Sequence, residues 1–197
     1  MKKLVLLAVL ALALPTAVFA SSNIDYSNSG GTLSGSHSGL SLSGSVLIAV
    51  NSNAGLITGS DLGSVSFQTG ALQSGSLQNG GTFAAGGWFT ITGNGTNGVP
   101  NGTLFSGTFS GPVTWSMTTL ANGTHNYTLT GTLMASSGPS EGTTVQLTVN
   151  TGKGFFNGCT RISSGDTNVV VPEPGSLSLL GTGLLALGGT IRRKLKV

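Results

Sequence analysis

Between residues 21 and 168 the apolar positions recur with a period of two. Leu40, Leu42 and Gly44 alternate with Ser before the run Val46-Leu47-Ile48-Ala49-Val50. Val65 and Phe67 alternate with Ser66 and Gln68, and Val145, Leu147 and Val149 alternate with Gln146 and Thr148. Successive side chains of an extended chain point to opposite faces, so this pattern describes strands with one apolar and one polar face. No stretch of useful length carries a helical apolar stripe, and helix-breaking Gly recurs too often for one. Strands are predicted near residues 32–37, 40–50, 63–69, 88–92, 104–110, 113–120, 125–135 and 143–150, about eight or nine in all. The class is all-β. Many short antiparallel strands with turn signals imply a sandwich or a barrel, packed on one face and solvated by Ser and Thr on the other. A β-solenoid is the alternative, and the lack of a fixed repeat period counts against it. Phe155-Phe156 is expected to close an edge of the core, and residues 163–168 read as a linker.

The sharpest local prediction is a hairpin. A two-residue turn at Asn122-Gly123 would pair Met117 with Thr128 and set apolar faces against polar ones. A three-residue loop, Ala121-Asn122-Gly123, pairs Leu120 with Thr124, Met117 with Tyr127 and Trp115 with Leu129. That register puts the large residues on one face and Gly123 where such a loop needs a left-handed residue. The Asn-Gly pairs starting at Asn79, Asn94, Asn97, Asn101 and Asn157 mark further turns, and the three between Gly93 and Gly102 belong to one loop.

The two ends break the pattern. Met1-Lys2-Lys3, an apolar run over residues 4–14, and small residues before Ser21 form a secretory signal peptide, cut between Ala20 and Ser21. At the other end Pro172-Glu173-Pro174 precedes residues 176–191, which carry no charge, and then Arg192, Arg193, Lys194 and Lys196. As a helix those sixteen residues span roughly 24 Å, short of a hydrocarbon core of roughly 30 Å. The cations belong on the cytoplasmic side with the body outside. The marginal length suits a transient anchor rather than a permanent span. The chain thus divides into a signal helix at 1–20, a Gly/Ser/Thr-rich β domain at 21–168, a turn at 169–175, and a short transmembrane helix with a basic tail at 176–197.

Composition changes the picture in one respect. The formal net charge is +3 and the isoelectric point about 9.4. Most of the positive charge lies in the two ends. Residues 21–171 hold Lys153 and Arg161 against Asp25, Asp61, Glu141 and Asp166, two cations less four anions, about −2. The body is therefore not a basic nucleic-acid binder. Charged residues make up only 7% of the chain and Gly numbers 33, as in exported turn-rich β proteins rather than cytosolic enzymes. The single cysteine, Cys159, excludes an internal disulfide and reads as an incidental small residue rather than a reactive thiol.

The sequence carries no recognisable catalytic set. His37 and His125 sit in no nucleophile elbow and are expected to face solvent. Asp25, Asp61, Glu141 and Asp166 are scattered singly, with Asp25 and Asp166 expected near flexible ends and Asp61 and Glu141 at strand starts or turns, so no carboxylate pair is expected. No metal site or cofactor is expected, and the chain is read as a non-enzyme. Sequons at Asn94, Asn101, Asn122 and Asn126 reflect composition. Trp88 and Trp115 are the candidates for stacking on sugars, with core packing as the competing fate.

The order of Pro172-Glu173-Pro174, the Gly/Leu-rich run and Arg192-Arg193-Lys194 closely resembles the PEP-CTERM sorting domain. The resemblance covers about the last 27 residues. It implies signal peptidase and exosortase as partners during export. It also implies recognition at Pro172, Glu173 and Pro174, transient anchoring in the cytoplasmic membrane, then delivery to the cell surface or extracellular matrix, often with exopolysaccharide and biofilm. It implies nothing about the body. A structural matrix role leads, and a carbohydrate-binding module is the alternative.

Overall fold

The computed structural model describes residues 22–136 and 143–171. The signal peptide, residues 172–197 and Glu141 lie outside the described residues. Among the described residues are thirteen strands: β1 (Ser22–Ser29), β2 (Thr32–Ser36), β3 (Gly39–Ser52), β4 (Gly55–Gln68), β5 (Leu72–Ser76), β6 (Gly80–Phe83), β7 (Gly86–Asn94), β8 (Asn101–Phe109), β9 (Val113–Thr119), β10 (His125–Ala135), β11 (Thr143–Asn150), β12 (Cys159–Arg161) and β13 (Ser164–Val171). All eight expected strands form.

Eight of the strands close a ring, in the order β10-β11-β13-β1-β3-β4-β7-β8 and back to β10. The protein is an antiparallel barrel rather than a sandwich, and no solenoid is present in the described residues. Closure is made possible by two long strands that change partner along one edge. β10 pairs with β9 through His125 to Thr130, then with β8 through Leu133 to Ala135, with Gly131 and Thr132 at the fork. β3 pairs with β2 near its start and with β1 further on. The branches β9-β6-β5 and β2-β12 extend from the barrel at these forks.

The alternation seen in the sequence fills the interior. Leu47, Val65, Phe67, Phe89, Ile91, Phe109, Leu129, Leu133, Val145, Leu147 and Val149 are all buried. Two aromatic clusters anchor the packing. Phe67, Phe89, Phe105 and Phe109 meet at centroid distances of 5.9 to 6.3 Å. Trp115 stacks on Tyr127 at 5.0 Å, with Phe156 against its edge at 5.4 Å. The second cluster also holds the β5–β6 turn. Trp115 Nε1 donates to Leu77 O at 2.9 Å, and Tyr127 Oη donates to Gln78 O at 2.6 Å while accepting from Phe156 N at 3.0 Å. Phe156 closes the core edge as expected, whereas Phe155 is half exposed.

The hairpin takes the expected three-residue register: Met117 pairs with Tyr127 and Trp115 with Leu129. Leu120 N donates to Thr124 O, and Gly123 adopts φ +78°. The single loop between Asn94 and Asn101 also forms. One reading is corrected. Residues 163–168 are not a linker, because β13 begins at Ser164 and forms a barrel wall. Its inward residues are Gly165, Thr167 and Val169, too small and mixed to announce a strand.

The lining is uneven around the ring. The wall of β11, β13, β1 and β3 buries Asn28, Ser45, Thr143 and Thr167. Asn28 Nδ2 donates to Ser45 Oγ at 2.7 Å, but the hydroxyls of Thr143 and Thr167 meet no hydrogen-bond partner. A buried unpaired hydroxyl costs about 1–3 kcal/mol. Thr167→Val keeps the shape and removes the hydroxyl, so it should raise the urea unfolding free energy by about 1 kcal/mol. Gly123→Ala should lower it by about 1 kcal/mol through left-handed strain alone, since its Cβ meets open space. Gly63→Ala should cost more, because its Cβ would collide with the Thr92 carbonyl.

Candidate functional site

With most apolar side chains turned inward, the outer wall is largely Ser, Thr, Asn and Gln, with Trp88 and Met134 as exposed exceptions. This is the reverse of a lipid-facing barrel, whose outer band is apolar. No helix among the described residues is long and apolar enough to cross a membrane.

Trp88 stands on this outer wall. It lies opposite Gln68 across β4 and β7 and is 44% exposed. Its outward neighbours are polar, with Ser66 paired to Thr90 and Thr90 to Ser106. The result is an indole in a field of hydroxyls and amides, able to stack on the apolar face of a sugar ring. Trp115 is not available for such a role, which corrects its candidacy. It is 1% exposed, because it shares strand parity with Val113 and so points into the core.

His37 is exposed as expected, but His125 is buried. Its ring stacks on Phe155 at 4.5 Å, and Nδ1 lies 3.0 Å from Thr119 Oγ1. Its parity with Tyr127 and Leu129 was the overlooked sign of burial. Among the described residues the Thr119 hydroxyl is the side-chain partner of its ring, and Thr151 Oγ1 donates to its backbone carbonyl.

The carboxylates are less scattered than the sequence suggested. Asp25 and Asp166 lie on the neighbouring barrel strands β1 and β13, not at flexible ends. Ser27 Oγ donates to Asp166 Oδ1 at 2.8 Å. Burial first, and the negative charge of Asp166 second, push the Asp25 carboxyl above its ordinary value. Asp61 lies apart and caps the β7–β8 loop, accepting from Gly63 N and Asn94 Nδ2. That bond occupies the Asn94 amide of the first sequon.

Two shallow depressions mark the outer wall. One of about 340 Å³ sits at the β10 fork, among Pro112, Thr114, Thr130, Thr132, Thr144 and Gln146. The other, of about 290 Å³, lies among Ser27, Gln146, Thr148, Ser164 and Asp166. Both offer hydroxyl and amide groups. No group of three or more His, Cys, Asp or Glu that could hold a metal ion occurs among the described residues. Cys159 is exposed on β12.

β13 is followed in sequence by Pro172-Glu173-Pro174, and the match to this tail supports an exported protein with a C-terminal sorting signal. Residues 170–194 match the PEP-CTERM protein-sorting motif, the tail processed by an exosortase. No curated protein and no solved structure matches the chain. The motif residues Pro172, Glu173 and Pro174, the cations after residue 191, and the Ala20–Ser21 junction all lie outside the described residues.

Asp25 gives a pH signature with a definite sign. A carboxyl whose folded pKa is raised contributes stability that is complete below its ordinary value of 3.8 and lost as pH rises through the folded value. Asp25→Asn should therefore be more stable than the parent at pH 7 and no more stable at pH 3, as read from urea midpoints.

Proposed function

We propose that this is a non-enzymatic bacterial cell-surface or extracellular-matrix protein, associated with biofilm, whose β-barrel is delivered through its PEP-CTERM tail. The sorting motif at residues 170–194 carries the reading. The layout of the chain supports it. β1 starts at Ser22 and β13 ends at Val171, so cleavage between Ala20 and Ser21 and loss of residues after the motif both spare the barrel. The sorting tail acts as a transient handle in the cytoplasmic membrane, with Arg192, Arg193, Lys194 and Lys196 held inside. The hydroxylated outer wall suits hydrated surroundings.

Mass spectrometry of the secreted protein tests this. The wild type should lack the residues after the motif, and replacement of Pro172, Glu173 and Pro174 by Ala should leave Val197 in place. An intact Val197 in the secreted wild type would contradict the reading.

A second reading is favoured by one observation, the exposed indole of Trp88. In it the barrel is a module that holds exopolysaccharide. Trp88→Ala should then lower retention on a polysaccharide column about fivefold or more, as loss of a stacking contact of about 1 kcal/mol or more requires. The unfolding midpoint should be unchanged. Equal retention would remove this reading.

A further inference from the structure

The strand that closes the barrel is held lightly. β13 contributes Gly165, Thr167 and Val169 to the interior, and the Thr167 hydroxyl is one of the two without a partner. The other, Thr143, belongs to β11, the strand beside it. On its other side β1 presents Asn28, whose side chain comes so close that a Cβ on Gly165 would lie 2.6 Å from it. The opposite wall is built on four interlocking phenylalanines. On the outer surface Asp166 of β13 accepts a hydrogen bond from Ser27 of β1, and its negative charge helps to push the Asp25 carboxyl, also on β1, above its ordinary value. Of its described side chains β13 buries one apolar residue, Val169, beside Gly165 and the orphaned Thr167 hydroxyl, and its release breaks the Ser27–Asp166 hydrogen bond while freeing that hydroxyl.

The same strand runs without a spacer into the sorting motif. The match begins at residue 170, inside β13, and Pro172 follows Val171 directly. Enzymes and receptors commonly hold a peptide as an added strand, through its backbone hydrogen bonds. Pro172 and Pro174 have no backbone N–H to offer. The donors next to the motif on its N-terminal side belong to β13. In the closed barrel β13 pairs with β11 on one edge and β1 on the other.

We propose that β13 serves twice, as the closing wall of the barrel and, when peeled away, as the extended segment that the tail-processing protease takes. The proposal rests on reading the tail as a processed one. Peeling frees eight residues. At about 3.3 Å per residue, that adds on the order of 26 Å to the tether before Pro172. Barrel closure and tail processing then compete for one strand until the tail is gone.

A lock on the strand tests this in the full chain, exported from its own host. Thr144 and Asn168 are directly opposed on β11 and β13, and Asn168 precedes the matched motif. In a Cys159→Ser background, Thr144→Cys with Asn168→Cys should form a disulfide across the pair. The parent and the single variant Asn168→Cys should be processed. The locked form should keep Val197, with processing at about a tenth of the parent or less, as expected when opening of one strand limits access. Reductant during export should restore it. Thr167→Val should slow processing without a lock. Processing of the locked form at the parent rate would overturn the proposal, as would a defect that reductant fails to restore. An unprocessed parent would instead overturn the processing reading, and the proposal with it. Hydrogen exchange on the exported protein gives an independent readout. Amides of β13 should exchange at least about tenfold faster than those of β7 and β8, and equal protection would contradict the proposal.

Discussion

A sheet with one apolar face has to bury that face, and here it does so by curling until its first and last strands meet. Every other feature depends on that closure. It brings β13 between β11 and β1, pairs both edges of the sheet, and leaves Ser and Thr outside. With 7% charged residues and no internal disulfide, the protein has little else to hold it. The long strands β3 and β10 make the ring possible by giving part of one edge to the barrel and part to a branch.

The interior runs from aromatic to polar around the ring. The phenylalanine cluster on β4, β7 and β8 is dense and rigid, and the wall on the far side of β3 carries small and hydroxylated residues. β1 and β13, the first and last described strands, both lie in that wall, away from the phenylalanine cluster. The outer wall is mostly hydroxyls and amides, with Trp88 and Met134 exposed among them and Asp166 in one depression.

Much of this fold was legible because the large side chains obey the period of two. Phe89 and Ile91 fix the inward face of β7, and by the same parity Trp88 points outward. Val113 fixes Trp115 inward, and Tyr127 does the same for His125. Those assignments needed only the parity rule, which was applied to the hairpin register but not to the histidine. The strands that the sequence leaves unmarked bury at most one large aromatic each, Tyr26 in β1 and Phe83 in β6. β13 offers Gly165 and Thr167, β5 is largely exposed, and β6 begins Gly80-Gly81. Their pairing is imposed by neighbours across the sheet, and no local pattern records it. Asp25 and Asp166 are 141 positions apart and come near each other only because β1 and β13 are neighbours in the sheet. The sorting tail was legible for the opposite reason. Its recognition depends on the order of Pro172-Glu173-Pro174, an apolar run and cations, and not on tertiary structure.

The closure itself is the claim on which the rest depends, and proton–proton contacts in solution test it most directly. Nuclear Overhauser effects should connect β13 to both neighbours in the exported protein. Gly165 should contact Leu147 on one side and Asn28 on the other. Contacts to β11 without any to β1 would describe an open sheet and contradict the barrel.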